Sequence, residues 1–248
     1  MIRSAAKNSG FTLIELVLII VILGIIGSIA LRSMQPVLER ARADATMKEM
    51  MELEYAIIGN PDLISDAART DFGYVGDVGS LPPDLDALAT NTGSYSTWKG
   101  PYVRGDFVEN PDDFKKDAWG DLYAYAGGIS ILSNGGGTVM TRNFAQAAAE
   151  LTSNTVRGSI FDGLGSIPGG NNSDIAVTII FPDGNGSMAS LSVIPGLDGS
   201  FSFDNAIPIG NHLLRGVYSI TNDTTARYVS VAPGSTAYGE LRFPGGLW

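Results

Sequence analysis

Cysteine is absent from this 248-residue chain, so neither a disulfide nor a thiolate metal site can form. That absence does not confine the chain to a reducing compartment, because a chain of this length buries enough surface without staples. Histidine occurs once, as His212, which excludes a histidine-rich metal centre. Positive charge is scarce: 16 Lys and Arg stand against 26 Asp and Glu, a formal net charge of −10. A chain this acidic repels nucleic acid, and no nucleic-acid partner is expected. Also missing are a nucleophile elbow, a phosphate-binding loop and a defensible pair of catalytic carboxylates. No catalytic residue is therefore assigned, and no enzymatic activity is expected.

Hydrophobic residues make up 44% of the chain and charged ones 17%, a globular composition. Their arrangement at the amino terminus is the most informative feature. Residues 1–10 are short and polar, with Arg3 and Lys7 and no acid. From Phe11 to Leu31 follow 21 residues that are apolar except for Thr12, Glu15 and Ser28. As a helix this run spans roughly 31 Å, enough to cross a bilayer core. The basic residues ahead of it favour a cytoplasmic amino terminus, with the remainder on the far side. A secretory signal has a shorter apolar core, about 7–15 residues, followed by its cleavage site. By composition alone the run is equally a plain signal anchor.

Glu15 separates these readings. A carboxylate inside a spanning helix costs about 2.5–3.5 kcal/mol on insertion scales, so it needs a partner. Cleavage after Gly10 would create an α-amine at Phe11, and that amine on one copy can meet Glu15 on a neighbour. Such a pair sets register between subunits more than it adds stability.

The string Gly10-Phe11-Thr12-Leu13-Ile14-Glu15 resembles the processing site of type IV pilins and type II secretion pseudopilins. The resemblance implies a leader peptide over 1–10, removed by a prepilin peptidase, and methylation of the Phe11 amine. Gly10 and Phe11 are then processing residues and Glu15 an assembly residue. The implied partners are other copies and related pilin-like subunits, the peptidase, an inner-membrane assembly platform and membrane lipid. The implied location is the inner membrane, crossed once, with the carboxyl-terminal domains periplasmic or carried on a cell-surface filament.

Past the spanning segment 11–31, the spacing of Val37, Leu38, Ala41, Ala45, Met50, Leu53, Ile57 and Ile58 predicts an amphipathic continuation of the helix. Pro36 should kink it, and Gly59-Asn60-Pro61 should end it. Gly24 and Gly27 either allow close packing in the inner half or are neutral in lipid. Asp62, Asp66, Asp71 and Asp77 read as solvated turn residues. A small sheet packed on the helix would take its aromatic core from Trp98, Tyr102, Trp119, Tyr123 and Tyr125.

The order of Trp98-Lys99-Gly100-Pro101-Tyr102, Asp117-Ala118-Trp119-Gly120 and Tyr123-Ala124-Tyr125 is similar to the major pseudopilin of type II secretion systems. Ala118 departs from the Pro of that pattern. The resemblance covers Phe11 to about Arg142 and implies a pilin fold over 32–142. That family carries an acidic calcium loop next. Here the chain reads Ser133-Asn134-Gly135-Gly136-Gly137, with no acid between Leu122 and Ala149, so no metal ligand and no cofactor are assigned. Calcium enters by family analogy alone.

An Ala-rich stretch over 143–155 reads as a linker or short helix. Beyond it, seven alternating segments separated by Gly- and Pro-containing turns predict a β-sandwich over 156–248. Arg157-Gly158-Ser159-Ile160-Phe161-Asp162, Asp198-Gly199-Ser200-Phe201-Ser202-Phe203 and Ile207-Pro208-Ile209-Gly210 resemble the carboxypeptidase regulatory-like, transthyretin-type sandwiches. The string Asp183-Gly184-Asn185-Gly186-Ser187 reads as a hairpin turn, since later calcium ligands are missing. His212 reads as a strand residue near a turn. The expected class is α+β: a long amino-terminal helix, a small antiparallel sheet, then a seven-stranded sandwich. The expected role is a structural filament subunit. The rival is a low-abundance tip or adhesive subunit displaying the sandwich as a binding module.

Overall fold

The computed structural model describes residues 11–103 and 112–248. Gly10, Arg3 and Lys7 lie outside the described residues. The chain is α+β, opening with a 46-residue helix, α1 (Leu13–Ile58). Two units are compact by themselves, one ending at Ala45 and one running from Thr46 to Trp248.

In the first unit the apolar run is helical from Leu13 and exposed along its whole length, and the helix is long and apolar enough to cross a membrane. Its hydroxyls are satisfied within the helix: Ser28 Oγ donates to the Ile25 carbonyl at 2.8 Å. The helix runs unbroken through Pro36. The apolar stripe predicted from Val37 onward is buried only in its outer part. Thr46, Met50, Leu53, Ala56, Ile57 and Ile58 are covered, whereas Val37 and Leu38 stay 65% and 53% exposed. The spacing of Val37 and Leu38 is right for a helix face, but among the described residues both side chains stay exposed.

The second unit begins with the end of α1. Gly59 takes φ +82° and its N–H returns to the Tyr55 carbonyl at 2.8 Å, a left-handed helix stop. A Cβ there would lie 2.3 Å from the Asp71 carbonyl oxygen, so only glycine lets the returning chain cross so closely. A two-rung hairpin, β1 (Ile64–Ser65) with β2 (Ala68–Arg69), leads to short helices α2 (Gly73–Val78) and α3 (Asp86–Ala89). The antiparallel pair β3 (Ser130–Ser133) and β4 (Met140–Asn143) forms the small sheet. Met50, Leu53 and Ile57 of α1 pack there with Phe72, Tyr74, Val75, Leu88, Tyr123 and Ile131. Burying such side chains contributes about 1.5–3 kcal/mol each.

The predicted aromatic core is distributed differently. Tyr123 is buried, while Trp98, Tyr102 and Tyr125 sit at the rim, each with its polar atom bonded. Trp119 lies outside this core and packs instead against Gly135 and Gly136. Residues 143–155 contain α4 (Ala149–Thr152), and Phe144 and Leu151 are buried in the same core.

Seven strands follow: β5 (Asn154–Phe161), β6 (Ile175–Pro182), β7 (Met188–Val193), β8 (Ser200–Ile207), β9 (Gly210–Tyr218), β10 (Asp223–Val231) and β11 (Thr236–Arg242). They form one sheet in the order β10-β9-β6-β7 and another in the order β11-β5-β8, with β11 parallel to β5. Alternate residues, among them Val156, Ile160, Val177, Ile179, Phe203, Leu214 and Leu241, fill the space between the sheets. Every strand segment predicted from alternation overlaps one of these seven.

One end of this sandwich is joined tightly to the first core. Ile209, from the turn between β8 and β9, is fully buried in that core, and its N–H donates to the Leu151 carbonyl at 3.0 Å. The Gly184 N–H donates to the Val78 carbonyl at 2.9 Å, and Ser96 Oγ to the Gly186 carbonyl at 2.7 Å. Asn211 Nδ2 donates to the Arg69 carbonyl at 3.1 Å, and the Gly234 N–H to the Glu150 carbonyl at 2.9 Å.

Candidate functional site

The residues marked out by the sequence lie at the start of α1. Gly10 falls outside the described residues. Phe11 is 78% exposed, ahead of the first helical turn. Glu15 lies in that turn, and its carboxylate is engaged within its own chain. Its Oε2 accepts from the Thr12 backbone N–H at 3.0 Å and from Thr12 Oγ1 at 2.9 Å. In return, the Glu15 N–H donates to Thr12 Oγ1 at 3.4 Å. Ser or Thr followed three residues later by Glu is a capping box, which satisfies helix N–H groups that have no partner inside the helix. The negative charge also sits at the positive end of the helix dipole. Reading Glu15 only as a charge awaiting a cation overlooked Thr12, although Thr12-Leu13-Ile14-Glu15 is visible in the sequence.

The loop that would carry calcium by family analogy is occupied by its own chain. Asp117 is buried, with Oδ1 accepting from the N–H groups of Trp119 and Asp121, each at 3.0 Å. Its Oδ2 accepts from Ser133 Oγ at 2.6 Å. Burial pushes this carboxyl up, but the bonds from Ser133 and from the amides of Asp121, Trp119 and Gly135 outweigh it and hold the group below its ordinary value. A Cβ at Gly135 would lie 2.4 Å from Asp117 Oδ2, and one at Gly136 2.6 Å from the Trp119 ring. The glycines thus let the loop close onto Asp117 and Trp119. Calcium takes six to eight oxygens, and both oxygens of Asp117 are already engaged by groups of its own chain. Among the described residues no group of three or more His, Asp or Glu side chains is arranged to hold a metal.

Two polar groups on long loops and strands have structural surroundings. Asp183 Oδ1 accepts from the N–H groups of Asn185 at 2.8 Å and Ser187 at 3.0 Å, closing the turn between β6 and β7. His212 is buried in β9 at the joined end of the sandwich, with Nε2 2.7 Å from the Pro208 carbonyl. A carbonyl only accepts, so Nε2 carries the proton. Burial lowers the pKa of this imidazole to about 4, with the Pro208 bond opposing.

The description "Prokaryotic N-terminal methylation motif" matches residues 5–31. The match spans the end of the basic leader, the junction at Phe11, Glu15 and the apolar run. It is a type IV pilin-like prepilin signal and supports a membrane-anchored precursor processed by a prepilin peptidase. No curated protein and no solved structure matches the chain.

Proposed function

We propose that this chain is the precursor of a structural subunit of a type IV pilus-like or type II secretion pseudopilus filament. A prepilin peptidase cuts after Gly10, the new α-amine of Phe11 is methylated, and the mature chain assembles through the inner half of α1. The observation that carries this reading is the methylation motif over 5–31 on a helix whose apolar run is exposed throughout and holds one acid. An exposed apolar helix of this length belongs in lipid or against other helices.

In this reading the precursor crosses the inner membrane once, with the leader cytoplasmic and Thr46–Trp248 periplasmic. On assembly, Glu15 of one copy meets the Phe11 amine of another. The order of the Trp98–Tyr102, Asp117–Gly120 and Tyr123–Tyr125 elements favours the secretion filament over a pilus. The chain acts by assembly and not by catalysis, and it uses no metal. The test is mass spectrometry of the protein from its own host. The expected mass lacks Met1 to Gly10 and carries a methyl group on Phe11. A full-length mass on protein that never polymerises would overturn the proposal.

A further inference from the structure

The proposed charge pair leaves open how a flexible glutamate is held ready in lipid. Glutamate has three rotatable side-chain bonds, and fixing them costs rotamer freedom. A helix start inside hydrocarbon also leaves N–H groups that no water can satisfy. Thr12 addresses both. Its hydroxyl and its N–H converge on one oxygen of Glu15, Oε2, and its hydroxyl also receives the Glu15 N–H. Among the described residues Oε1 accepts no hydrogen bond.

We infer that Thr12 is a positioning residue for assembly: it clamps Glu15 through Oε2 and leaves Oε1 free for the cation of an incoming copy. The inference rests on the filament reading above and deepens it. Thr12 and Glu15 both lie on the mature side of the Gly10–Phe11 junction, so the clamp exists before and after leader removal. The hydroxyl is the working group. Serine preserves it, whereas valine keeps the shape of threonine and removes the donor and acceptor.

The experiment uses the full-length protein and two readouts. In detergent micelles, amide hydrogen exchange at Glu15 is measured for the parent chain, Thr12→Ser and Thr12→Val. Loss of a helix N-cap predicts exchange about fivefold faster in Thr12→Val. Thr12→Ser should match the parent, and amides beyond Gly24 should be unchanged in all three. In the host, filament yield is measured per molecule that has lost its leader. It should fall several-fold in Thr12→Val and return in Thr12→Ser.

Parent-like exchange at Glu15 in Thr12→Val overturns the clamp, whatever happens to processing. Parent-like filament yield from processed Thr12→Val overturns its role in assembly. Glu15→Leu runs alongside to separate the two levels. If Glu15→Leu is defective and Thr12→Val is normal, only the clamp fails. If both assemble normally, the filament reading of Glu15 fails with it.

Discussion

Ile209 tests whether the sandwich and the small-sheet core unfold as one. It belongs by sequence to the turn between β8 and β9, yet it is fully buried among the residues of the first core. Changing Ile209→Ala removes three carbon atoms from that core. The neighbouring backbone is pinned by the Ile209 N–H bond to Leu151 and by the bond between His212 and the Pro208 carbonyl, so the cavity cannot easily collapse. Substitutions of this kind cost about 2–5 kcal/mol. For a unit of this size, 3 kcal/mol lowers the midpoint by roughly 6–12 °C. The assay is thermal unfolding of the soluble fragment from Arg32 onward, in a Trp248→Phe background. Fluorescence then reports Trp98 and Trp119, which lie outside the sandwich, while β-sheet circular dichroism is dominated by the sandwich. Both signals should shift together by the same amount. A sandwich transition that moves while the Trp98 and Trp119 transition stays at the parent temperature would refute the coupling.

Three further outcomes follow from other contacts. The folded-state pKa of His212 is lowered from 6.5 to about 4, so between those values the unfolded chain binds the extra proton. Stability is therefore fully present above pH 6.5 and declines as pH falls towards 4, by about 3 kcal/mol. Urea unfolding of the same fragment across that range should show this slope, and His212→Gln should flatten it. Gly135→Val should destabilise the fragment by about 1–3 kcal/mol, because its Cβ would meet Asp117 Oδ2 and the Trp119 ring. Parent-like melting in that variant would mean the loop does not close onto Asp117. Glu15→Leu should insert into the membrane and lose its leader, yet yield few filaments by electron microscopy. Normal filaments would count against the charge pair.

Features set by neighbours in sequence were legible without the structure. The spanning run, the stop at Gly59, the turn at Asp183 and the seven strands each follow from patterns a few residues long. What escaped depends on distant partners. Alternation places Ile209 beside a turn, and nothing local says it will enter a core built around α1. The spacing of Trp119 is that of a core aromatic, but its partner is a run of glycines whose lack of side chains carries no hydrophobic signal. The capping box at Thr12 is also local, since Thr12 and Glu15 stand three residues apart, but its pattern coincides with an acid in an apolar run, which by charge alone calls for a cation.

The exposed face of α1 bears on what surrounds this chain. Lipid hydrocarbon is about 30 Å thick and covers about 20 residues of helix. Beginning at Phe11, it runs out near Leu31. Exposed apolar side chains continue past that point: Met34, Val37 and Leu38 are each more than half exposed. Leu38 lies 27 residues beyond Phe11, roughly 40 Å along the helix axis. A plain signal anchor has no use for apolar residues there, where only headgroups or water would meet them. Neighbouring helices of the same kind would cover both stretches at once, the inner run and its continuation. Met34, Val37 and Leu38, exposed beyond the end of the apolar run at Leu31, are the side chains that the proposed helix-on-helix assembly would cover and a lone anchor would not. Charged substitutions at Val37 and Leu38 should leave membrane insertion intact and lower filament yield. Full yield from the doubly charged variant would return those residues to the role of an anchor's idle flank.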